Sequence, residues 1–498
     1  MSAARLTSLA PDLLTAPQRR PPLPSGPFLV VGLGRAGSAA ARALAERAGS
    51  GAVRAWDSAA DTVQLQRAAE LRRRGVDVRL GGDGLDVLGD ARTVVKSPGV
   101  PPEIPVVAEA VRRGLGIVDE LDVGWRLVPA PTVAVTGTNG KSTVSTLCLE
   151  LLAANDLEPV LTGNTVYGPP LSELALGEPP RSLVAEVSSY QAEYAQALGV
   201  DAAVFTNLTP EHLNRHADME AYGAAKRRLF VREDWCVPLA SVNLDDRLGR
   251  SLAAEVAERG GRVLTYGVAA AADYRIVNSR WGLREAEVTV EAPDGTVRLQ
   301  TRLPGAHNAA NAASVLALAD GLDLPRESTL RALAAAVPVP GRFEVVEVER
   351  PFDVVVDLGY SVDSLGKALA TARELVAARG GRLLTVLAVV GRTGPLNGRE
   401  VGALARELSD HLVLCGSSYR GEPRLVTLAQ LAAGARGAEG ASLEIVIDRR
   451  DAIARALAAA RPGDLVMLLG RGPIRYEATD WRGGLRPLDD REVVRELA

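Results

Sequence analysis

Cysteine is scarce in this 498-residue chain, and positive charge is not in excess. The three cysteines are far apart and fall in or beside apolar segments, at Cys148, Cys236 and Cys415. Disulfide frameworks belong to small oxidised domains with many cysteines, so this pattern predicts buried free thiols in a reducing cytoplasm. The net charge of -4 at pH 7 argues against a nucleic-acid partner.

Long apolar runs are also missing. No segment of about 18 consecutive uncharged apolar residues occurs, so the sequence predicts no membrane-spanning helix. The segment through Pro27 contains arginines and a proline cluster, but no apolar stretch followed by a small-residue cleavage site. It predicts a poorly ordered extension over residues 1–26 and not a secretion signal. Short-period repeats and low-complexity domains are absent as well.

From Phe28 onwards, short β-branched runs alternate with alanine-rich helical stretches. This alternation is typical of α/β domains with parallel sheets. The length predicts about three domains of ~100–200 residues each. Two proline-containing joins, Pro129–Pro131 and Val337–Gly341, fit that number. We therefore expect domains over residues 27–128, 129–336 and 337–498, the first and third of Rossmann-like type.

A glycine-rich loop between the apolar strand Val133–Val135 and the helical stretch Val144–Ala154 carries the strongest signal. In such a loop the backbone N–H groups point at phosphate oxygens; Lys141 would reach the β- and γ-phosphates, and the Ser142 hydroxyl would meet Mg²⁺. The standard spacing places a glycine where this chain has Val135, and an ordinary strand-turn-helix is the alternative. The predicted ATP-binding residues here are Gly137, Thr138, Asn139, Gly140, Lys141, Ser142 and Thr143.

The first block contains a dinucleotide-binding fingerprint. Its first strand leads into Gly32–Gly37, and Asp57 ends the next strand, twenty residues further on. Taken alone this predicts NAD, but the same turn can hold any nucleoside diphosphate. Lys96–Gly99 follows the strand Thr93–Val95 and would turn at the carboxyl edge of the sheet, where ligands bind; a plain turn is the alternative.

In the second block, Glu186 ends an apolar strand and is followed by Ser188–Gln191. A carboxylate so placed near a phosphate-binding loop commonly holds Mg²⁺. The next strand leads to Glu211–His216, which contains two of the four histidines in the chain. Because Mg²⁺ prefers oxygen ligands, His212 would be an unusual ligand, and solvated loop histidines are the alternative. The residues around Lys226 by themselves predict an ordinary surface lysine.

These segments, in this order, resemble the ATP-dependent Mur ligases, which add amino acids to the UDP-N-acetylmuramoyl peptide of bacterial cell-wall precursors. The resemblance covers essentially the whole chain after Gly26. Its most specific segments are Gly137–Thr143, Glu186–Gln191, Asn207–His212, Tyr222–Lys226 and Gly305–Asn308 with Asn311. It implies a UDP-binding first domain, a central ATPase domain and an amino-acid-binding third domain.

The resemblance also implies roles for single residues. Lys141, Glu186, His212 and Lys226 would be catalytic. Ser142 and Glu186 would hold one Mg²⁺, while His212 and a carbamylated Lys226 would help to hold a second. Carbamylation turns an amine into an oxygen donor, which suits Mg²⁺. Further ATP-binding residues would be Asn308, Asn311, Arg342 and Asp357. The UDP-muramoyl substrate would meet Arg35, Ala36, Asp57, Ser58, Ser97, Asn164 and Ser188.

Different blocks resemble different branches of the family. Gly32–Gly37, Ser97–Gly99 and Asp119–Leu121 resemble the D-glutamate-adding branch, MurD. Asp357–Leu365 is closer to the branch that adds the third amino acid, MurE, although the Asp-Asn-Pro-Arg and Gly-Lys-Gly-His-Glu segments of that branch are replaced at residues 417–420 and 470–474. We expect addition of D-glutamate to UDP-N-acetylmuramoyl-L-alanine through an acyl phosphate, with third-residue addition as the alternative.

Other protein classes explain the chain less fully. A folylpolyglutamate-type ligase would begin directly with the ATPase domain. A dehydrogenase fused to an ATPase would leave Glu186, His212 and Lys226 without a role, and a non-catalytic nucleotide-binding regulatory paralogue would be expected to lose Lys141, Glu186 or His212. We expect a cytoplasmic monomer that acts on small molecules.

Overall fold

The computed structural model describes residues 20–213, 215–389, 394–418, 424–479 and 484–498, and side chains of residues 394–396 are not described. By its contacts the chain divides into two units, each described by itself below. The first comprises Met1–Leu208, Arg215–Arg275 and Ala313–Ala332, and the second comprises Thr209–Asn214, Ile276–Ala312 and Leu333–Ala498.

Strands and helices alternate along the described chain. The strands as far as residue 301 are β1 (Phe28–Val31), β2 (Val53–Asp57), β3 (Asp77–Leu80), β4 (Thr93–Lys96), β5 (Gly116–Asp119), β6 (Thr132–Thr136), β7 (Pro159–Gly163), β8 (Ser182–Glu186), β9 (Ala202–Phe205), β10 (Val231–Arg232), β11 (Trp235–Cys236), β12 (Leu239–Asn243), β13 (Arg262–Gly267), β14 (Tyr274–Trp281), β15 (Ala286–Ala292) and β16 (Gly295–Thr301). Those after it are β17 (Glu344–Val346), β18 (Asp353–Asp357), β19 (Leu383–Leu387), β20 (His411–Cys415), β21 (Ser442–Val446), β22 (Leu465–Leu469), β23 (Tyr476–Ala478) and β24 (Leu485–Pro487).

The α-helices are α1 (Arg35–Ala48), α2 (Thr62–Arg73), α3 (Pro105–Arg112), α4 (Glu120–Leu127), α5 (Lys141–Ala153), α6 (Leu171–Leu174), α7 (Ser189–Tyr194), α8 (Met219–Arg227), α9 (Arg247–Glu258), α10 (Ala306–Gly321), α11 (Arg326–Ala335), α12 (Val362–Ala377), α13 (Gly394–Leu408), α14 (Arg424–Gly437), α15 (Arg449–Ala459) and α16 (Asp490–Leu497). Several begin at an aspartate whose carboxylate accepts N–H bonds of the first turn, as Asp61 does for α2 and Asp246 for α9. Among the described helices none has the length and apolar character needed to cross a bilayer.

The first unit contains two parallel sheets. The N-terminal sheet has the order β3-β2-β1-β4-β5, so the strand order reverses between β1 and β4. The central sheet runs β13-β12-β9-β6-β8-β7, with β6 between β8 and β9. In such sheets ligands bind outside the carboxyl ends of the strands, beside the reversal point. The segments that follow β1, β4, β6, β8 and β9 are therefore placed where a site can form.

The second unit contains a sheet of order β17-β18-β22-β19-β20-β21, in which only the β17–β18 pair, among the described strands, is antiparallel. Both faces of this sheet are covered by buried apolar side chains, with Leu387 and Leu469 in the cluster on one face and Val386 and Leu468 in the cluster on the other. In the same unit β15 and β16 form an antiparallel hairpin. The α/β class with parallel sheets is confirmed, and the β-rich segment near residues 263–303 corresponds to β13–β16.

Burial of the cysteines follows the sequence prediction for two of the three. Cys148 and Cys415 are buried, whereas Cys236 is partly exposed, and all three are free thiols. Burial raises the pKa of the Cys148 thiol, so this side chain behaves as a small apolar group.

One boundary differs from the sequence prediction. The helix after the glycine-rich loop begins at Lys141, three residues before the predicted Val144, because Gly140 adopts φ 85° and turns the chain directly into the helix. The predicted extension falls mostly on residues 1–19, outside the described residues. Within its described part, Arg20 lies 4.0 Å from the Trp125 ring centre and donates a hydrogen bond to the carbonyl of Ala130.

Candidate active site

The glycine-rich loop after β6 is held in shape by the segment after β9. Backbone N–H groups of Thr138 and Asn139 donate to Asn207, to its carbonyl at 2.7 Å and its side-chain oxygen at 3.0 Å. In return, the Thr206 hydroxyl donates to the Asn139 carbonyl at 2.6 Å. Because β6 and β9 are neighbours in a parallel sheet, their carboxyl ends bring these two segments together. Contacts within the chain itself therefore hold the shape of the loop.

Gly137 allows this close approach. Its φ is 151°, and a Cβ atom built there would lie 1.8 Å from the Thr206 hydroxyl oxygen. No real Cβ tolerates such a distance. The glycine at this position is thus required by packing within the loop, independently of any role in phosphate binding.

Two lysines converge on the loop. The ammonium of Lys141, on the first turn of α5, donates to the carbonyls of Gly137 at 3.1 Å and Thr138 at 2.7 Å. The ammonium of Lys226, on α8, donates to the same Gly137 carbonyl at 2.7 Å. The positive charge of Lys141 and the N-terminus of α5 favour a polyphosphate here.

Lys226 is not a surface lysine. Its exposed fraction is 1%, and its ammonium lies 4.6 Å from the Tyr222 ring centre. Charged side chains are rarely so buried unless a partner or a modification compensates for the lost hydration. The structure therefore excludes the surface-lysine alternative. It leaves the predicted carbamate as a proposal.

Glu186 ends β8 beside the loop and is almost fully buried. One of its carboxylate oxygens accepts a bond from the Asn164 side chain at 3.2 Å, and its backbone carbonyl accepts the Asn164 N–H at 2.7 Å. Two residues predicted for different ligands, the metal and the muramoyl substrate, are thus in direct contact. The Ser188 hydroxyl caps α7 by accepting the N–H of Gln191.

The donor set on the first unit fits Mg²⁺. Ser142 lies on the partly exposed first turn of α5, and Glu186 supplies a carboxylate. Among the described residues, no group of three or more His, Cys, Asp and Glu side chains could hold a metal by itself. Mg²⁺ is usually held by one or two protein oxygens together with substrate phosphates and water, so this sparse set suffices.

At the end of β2 in the N-terminal sheet, the Asp57 side chain stabilises the Gly32–Gly37 loop by hydrogen bonding. Its carboxylate accepts the N–H of Leu33 at 2.6 Å and that of Ala59 at 2.9 Å. The Ser97 hydroxyl donates to the Gly32 carbonyl at 2.7 Å. These contacts bring the segments after β1, β2 and β4 together at the point where strand order reverses, as predicted for a nucleotide site.

Other residues predicted for UDP lie at the rim of this crevice. Ser58 is exposed, Ala36 is partly exposed, and the exposed Arg35 donates to the Gly168 carbonyl at 2.7 Å. Gly168 is four residues beyond Asn164, so the rim of the crevice continues towards the central sheet of the same unit.

A buried lysine near the crevice was not predicted. The Lys96 ammonium donates to the carbonyls of Ser97 at 3.2 Å and Val100 at 2.9 Å, and it lies 4.9 Å from the Tyr194 ring centre. Burial lowers the pKa of Lys96 to about 8, although the nearby Asp119 carboxyl acts in the opposite direction. Burial also raises the pKa of Asp119. The sequence pattern, in which Lys96 simply ends an apolar strand, gave no sign of this.

The remaining predicted residues belong to the second unit. His212 has φ 58°, and its Nε2 atom lies 3.9 Å from the Glu211 carboxylate. Asn308 donates to the Pro304 carbonyl at 2.7 Å and accepts a bond from Asn311 at 3.0 Å, so the two amides form one buried pair near the start of α10.

Arg342 and Asp357 lie at the beginning of the C-terminal sheet. The Asp357 carboxylate accepts the N–H groups of Phe343 at 2.7 Å and Gly359 at 2.6 Å. Burial raises the pKa of Asp357, while the Arg342 charge and these bonds lower it. Three residues in segments that the sequence singled out, Asn214, Tyr419 and Arg420, lie outside the described residues.

Family models match three consecutive parts of the chain. They are the Mur ligase MurD-like N-terminal domain over residues 27–119, the Mur ligase middle domain over 135–319, and the Mur ligase glutamate ligase domain over 341–472. The three-domain organisation is thereby confirmed, and the predicted boundaries between the domains stay predictions.

Two kinds of relative are about equally similar. The UDP-N-acetylmuramoyl-L-alanyl-D-glutamate--2,6-diaminopimelate ligase of Chromobacterium violaceum is 33% identical over 406 residues, covering 78% of this chain and 80% of the relative. The UDP-N-acetylmuramoylalanine--D-glutamate ligase of Pelotomaculum thermopropionicum is 33% identical over 450 residues, covering 88% and 91%.

Solved structures agree in fold. The UDP-N-acetylmuramate-alanine ligase MurC from Thermotoga maritima superposes with a TM-score of 0.58 at 19% identity, covering 89% of this chain and 95% of that one. At this identity the likeness supports the fold alone. The matched domains and the relatives together show that the chain belongs to the Mur ligase family of ATP-dependent ligases in peptidoglycan precursor synthesis.

Proposed function

We propose that the chain joins D-glutamate to UDP-N-acetylmuramoyl-L-alanine, with ATP as the energy source. The observation that carries this proposal is the first domain. Its sheet places the Gly32–Gly37 loop, Asp57 and Ser97 around one crevice, and the MurD-like model matches residues 27–119. The D-glutamate ligase relative also covers more of the chain than the diaminopimelate ligase relative does.

In this reaction a carboxylate must be activated before an amine can displace one of its oxygens. The terminal carboxylate of the muramoyl substrate attacks the γ-phosphorus of ATP, giving an acyl phosphate and ADP. The amine of D-glutamate then attacks the acyl carbon and loses a proton. Phosphate departs with an oxygen of the original carboxylate, and an amide bond remains.

The residues of the first unit have matching tasks. The loop N–H groups and Lys141 would hold the transferring phosphoryl group and stabilise its charge, and the start of α5 adds a favourable dipole. Asn164 and Ser188 would orient the muramoyl substrate beside Glu186. Ser142, Glu186 and Lys226, as its carbamate, would hold Mg²⁺, which would neutralise charge on the phosphoryl group and the carboxylate.

Addition of the third amino acid to a dipeptide substrate is the second candidate. The diaminopimelate ligase relative supports it at 33% identity, and so does the Asp357–Leu365 segment. In the structure, this segment carries Asp357 into α12, where Ser361 and Ser364 form a capping box. This segment belongs to the C-terminal domain, and the two candidates differ in the amino acid that is added and in the length of the acceptor peptide.

A phosphate-release assay separates the candidates. We expect ATP-dependent release only when UDP-N-acetylmuramoyl-L-alanine and D-glutamate are both present, because the acyl phosphate forms on the muramoyl carboxylate and releases its phosphate when the amine attacks it. The panel contains UDP-N-acetylmuramic acid, its L-alanyl form and its dipeptide form, each with D-glutamate, L-alanine, L-lysine or diaminopimelate. Turnover of the dipeptide form with a diamino acid, without turnover of the L-alanyl form, would replace the first proposal by the second.

A further inference from the structure

A column of aromatic rings, most of it buried, lies beside the predicted phosphate loop. His216 stacks on Tyr222, with ring centres 5.1 Å apart and planes 27° apart, and it packs on Tyr190 at 5.7 Å. The Lys226 ammonium lies over the Tyr222 ring, 4.6 Å from its centre. His216, Tyr222 and Lys226 are 6%, 1% and 1% exposed. The column is therefore a packed internal element of the first unit.

One end of the column is tied to the segment after β8. The Nε2 atom of His216 and the Ser189 hydroxyl are hydrogen-bonded at 2.9 Å, and both side chains are buried. Ser189 is the first residue of α7 and follows Ser188, which is predicted to contact the muramoyl substrate. Arg215, which precedes His216 in the chain, lies 5.5 Å from the Tyr190 ring centre and forms an ion pair with Glu193 at 2.8 Å.

The other end is tied to the phosphate loop. The Tyr222 hydroxyl and the Thr138 hydroxyl are hydrogen-bonded at 3.1 Å. The Lys226 ammonium, stacked on the same ring, donates to the Gly137 carbonyl. A displacement of the Tyr222 ring would therefore move Thr138 and Gly137 in the predicted phosphate-binding loop. It would also move the side chain of Lys226, the proposed Mg²⁺ ligand.

We propose that His216 is a positioning residue that couples the muramoyl-substrate segment at Ser188–Ser189 to the phosphate loop through Tyr222. The inference rests on the proposed Mur ligase chemistry of this site, but not on which amino acid is added. His216 touches neither substrate in this role. It transmits the position of Ser189 to Tyr222, so that binding of the muramoyl substrate and binding of nucleotide favour the same arrangement of the loop. Coupling of this kind is reciprocal.

The test measures the affinity of a non-hydrolysable ATP analogue with Mg²⁺, by calorimetry on the full chain, with and without saturating UDP-muramoyl substrate. In the wild-type protein the substrate is expected to tighten nucleotide binding about 5-fold or more. Ser189→Ala removes only the hydrogen bond and keeps the rings. His216→Phe keeps a ring but removes the bond. Both are expected to reduce the tightening to less than about 2-fold while changing the affinity of either ligand alone far less.

His411→Phe is the matched control. His411, in β20 of the second unit, also bonds a serine hydroxyl through a ring nitrogen, with its Nδ1 atom 2.7 Å from Ser442. Loss of the bond between His411 and Ser442 should not alter the coupling between muramoyl-substrate binding and nucleotide binding. Retention of the wild-type tightening in both Ser189→Ala and His216→Phe, equal loss in His411→Phe, or no tightening in the wild-type protein would overturn the proposal.

Running the same titrations with the L-alanyl and the dipeptide substrates separates this inference from the proposed function. If only the dipeptide tightens nucleotide binding, the D-glutamate assignment fails. The positioning role is then supported if the tightening disappears in the two variants, and it is overturned if the tightening persists in them.

Discussion

Replacing Lys226 by alanine is expected to lower kcat by about 10²- to 10³-fold, the scale at which one charge-stabilising group is lost from an active site. The reason is that Lys226 is buried against Tyr222 and reaches the phosphate loop through the Gly137 carbonyl. As a carbamate it would present oxygens to Mg²⁺, and alanine presents none. The measurement is steady-state phosphate release with saturating substrates.

Acetate distinguishes the carbamate from other uses of the lysine. A small carboxylate that enters the space left by Lys226→Ala should restore part of the activity by supplying the missing oxygens. Lys141→Ala is the matched control, because its missing group is a cation and acetate cannot replace it. Unchanged activity of Lys226→Ala, or equal rescue of both variants, would argue against the carbamate.

Replacing Gly137 by alanine is expected to lower kcat/KM for ATP by about 10²-fold, the loss that follows a misplacement of reacting groups by about 1 Å. The new Cβ would lie 1.8 Å from the Thr206 hydroxyl oxygen, in a backbone conformation with φ 151° that side chains rarely adopt. The loop must therefore move away from Thr206 and Asn207, which hold it. Affinity for an ATP analogue and kcat/KM for ATP report the change.

Gly177→Ala is the control for this variant, because Gly177 is exposed and a Cβ there meets open space. Adding Thr206→Ala to Gly137→Ala removes the atom in closest conflict and should recover part of the lost affinity, although the strain at φ 151° remains. Full ATP affinity in Gly137→Ala would show that the loop does not need the packing seen in the structure.

The sequence was sufficient to predict the sheets and the edge at which the site forms. Short β-branched runs separated by helical stretches specify parallel sheets, and the carboxyl ends of parallel strands meet at one edge. Glycine spacing located Gly32–Gly37 and Gly137–Gly140 at that edge. The helix boundary at Lys141 was less predictable, since the left-handed conformation of Gly140 decides it and neighbouring residue types do not.

The contacts that shape the site were not predictable in the same way. Asn207 and Gly137 are seventy residues apart, and only the pairing of β9 with β6 brings them together. Strand order is a property of the whole sheet and has no local sequence pattern. Prediction of the contact between Asn207 and Gly137 would have required the strand order, which places the segment after β9 beside the loop after β6.

Burial of isolated charged residues was also not predictable from the local sequence. Lys96 and Lys226 occur in ordinary strand and helix patterns, and nothing in their immediate neighbourhood distinguishes them from exposed lysines. Their burial arises from rings and carbonyls contributed by other elements, namely Tyr194 for Lys96 and the Gly137 carbonyl for Lys226. For Lys226, the resemblance to the Mur ligases indicated a special role that the residue pattern alone did not.

The most direct test of the central claim follows an oxygen atom. UDP-N-acetylmuramoyl-L-alanine labelled with the heavy oxygen isotope in its terminal carboxylate is incubated with ATP, Mg²⁺, D-glutamate and the full chain, and both products are analysed by mass spectrometry. The account predicts one labelled oxygen in the released phosphate and a nucleotide product lengthened by one glutamate. Unlabelled phosphate, or no product from this substrate while the dipeptide form is extended by a third residue, would contradict it.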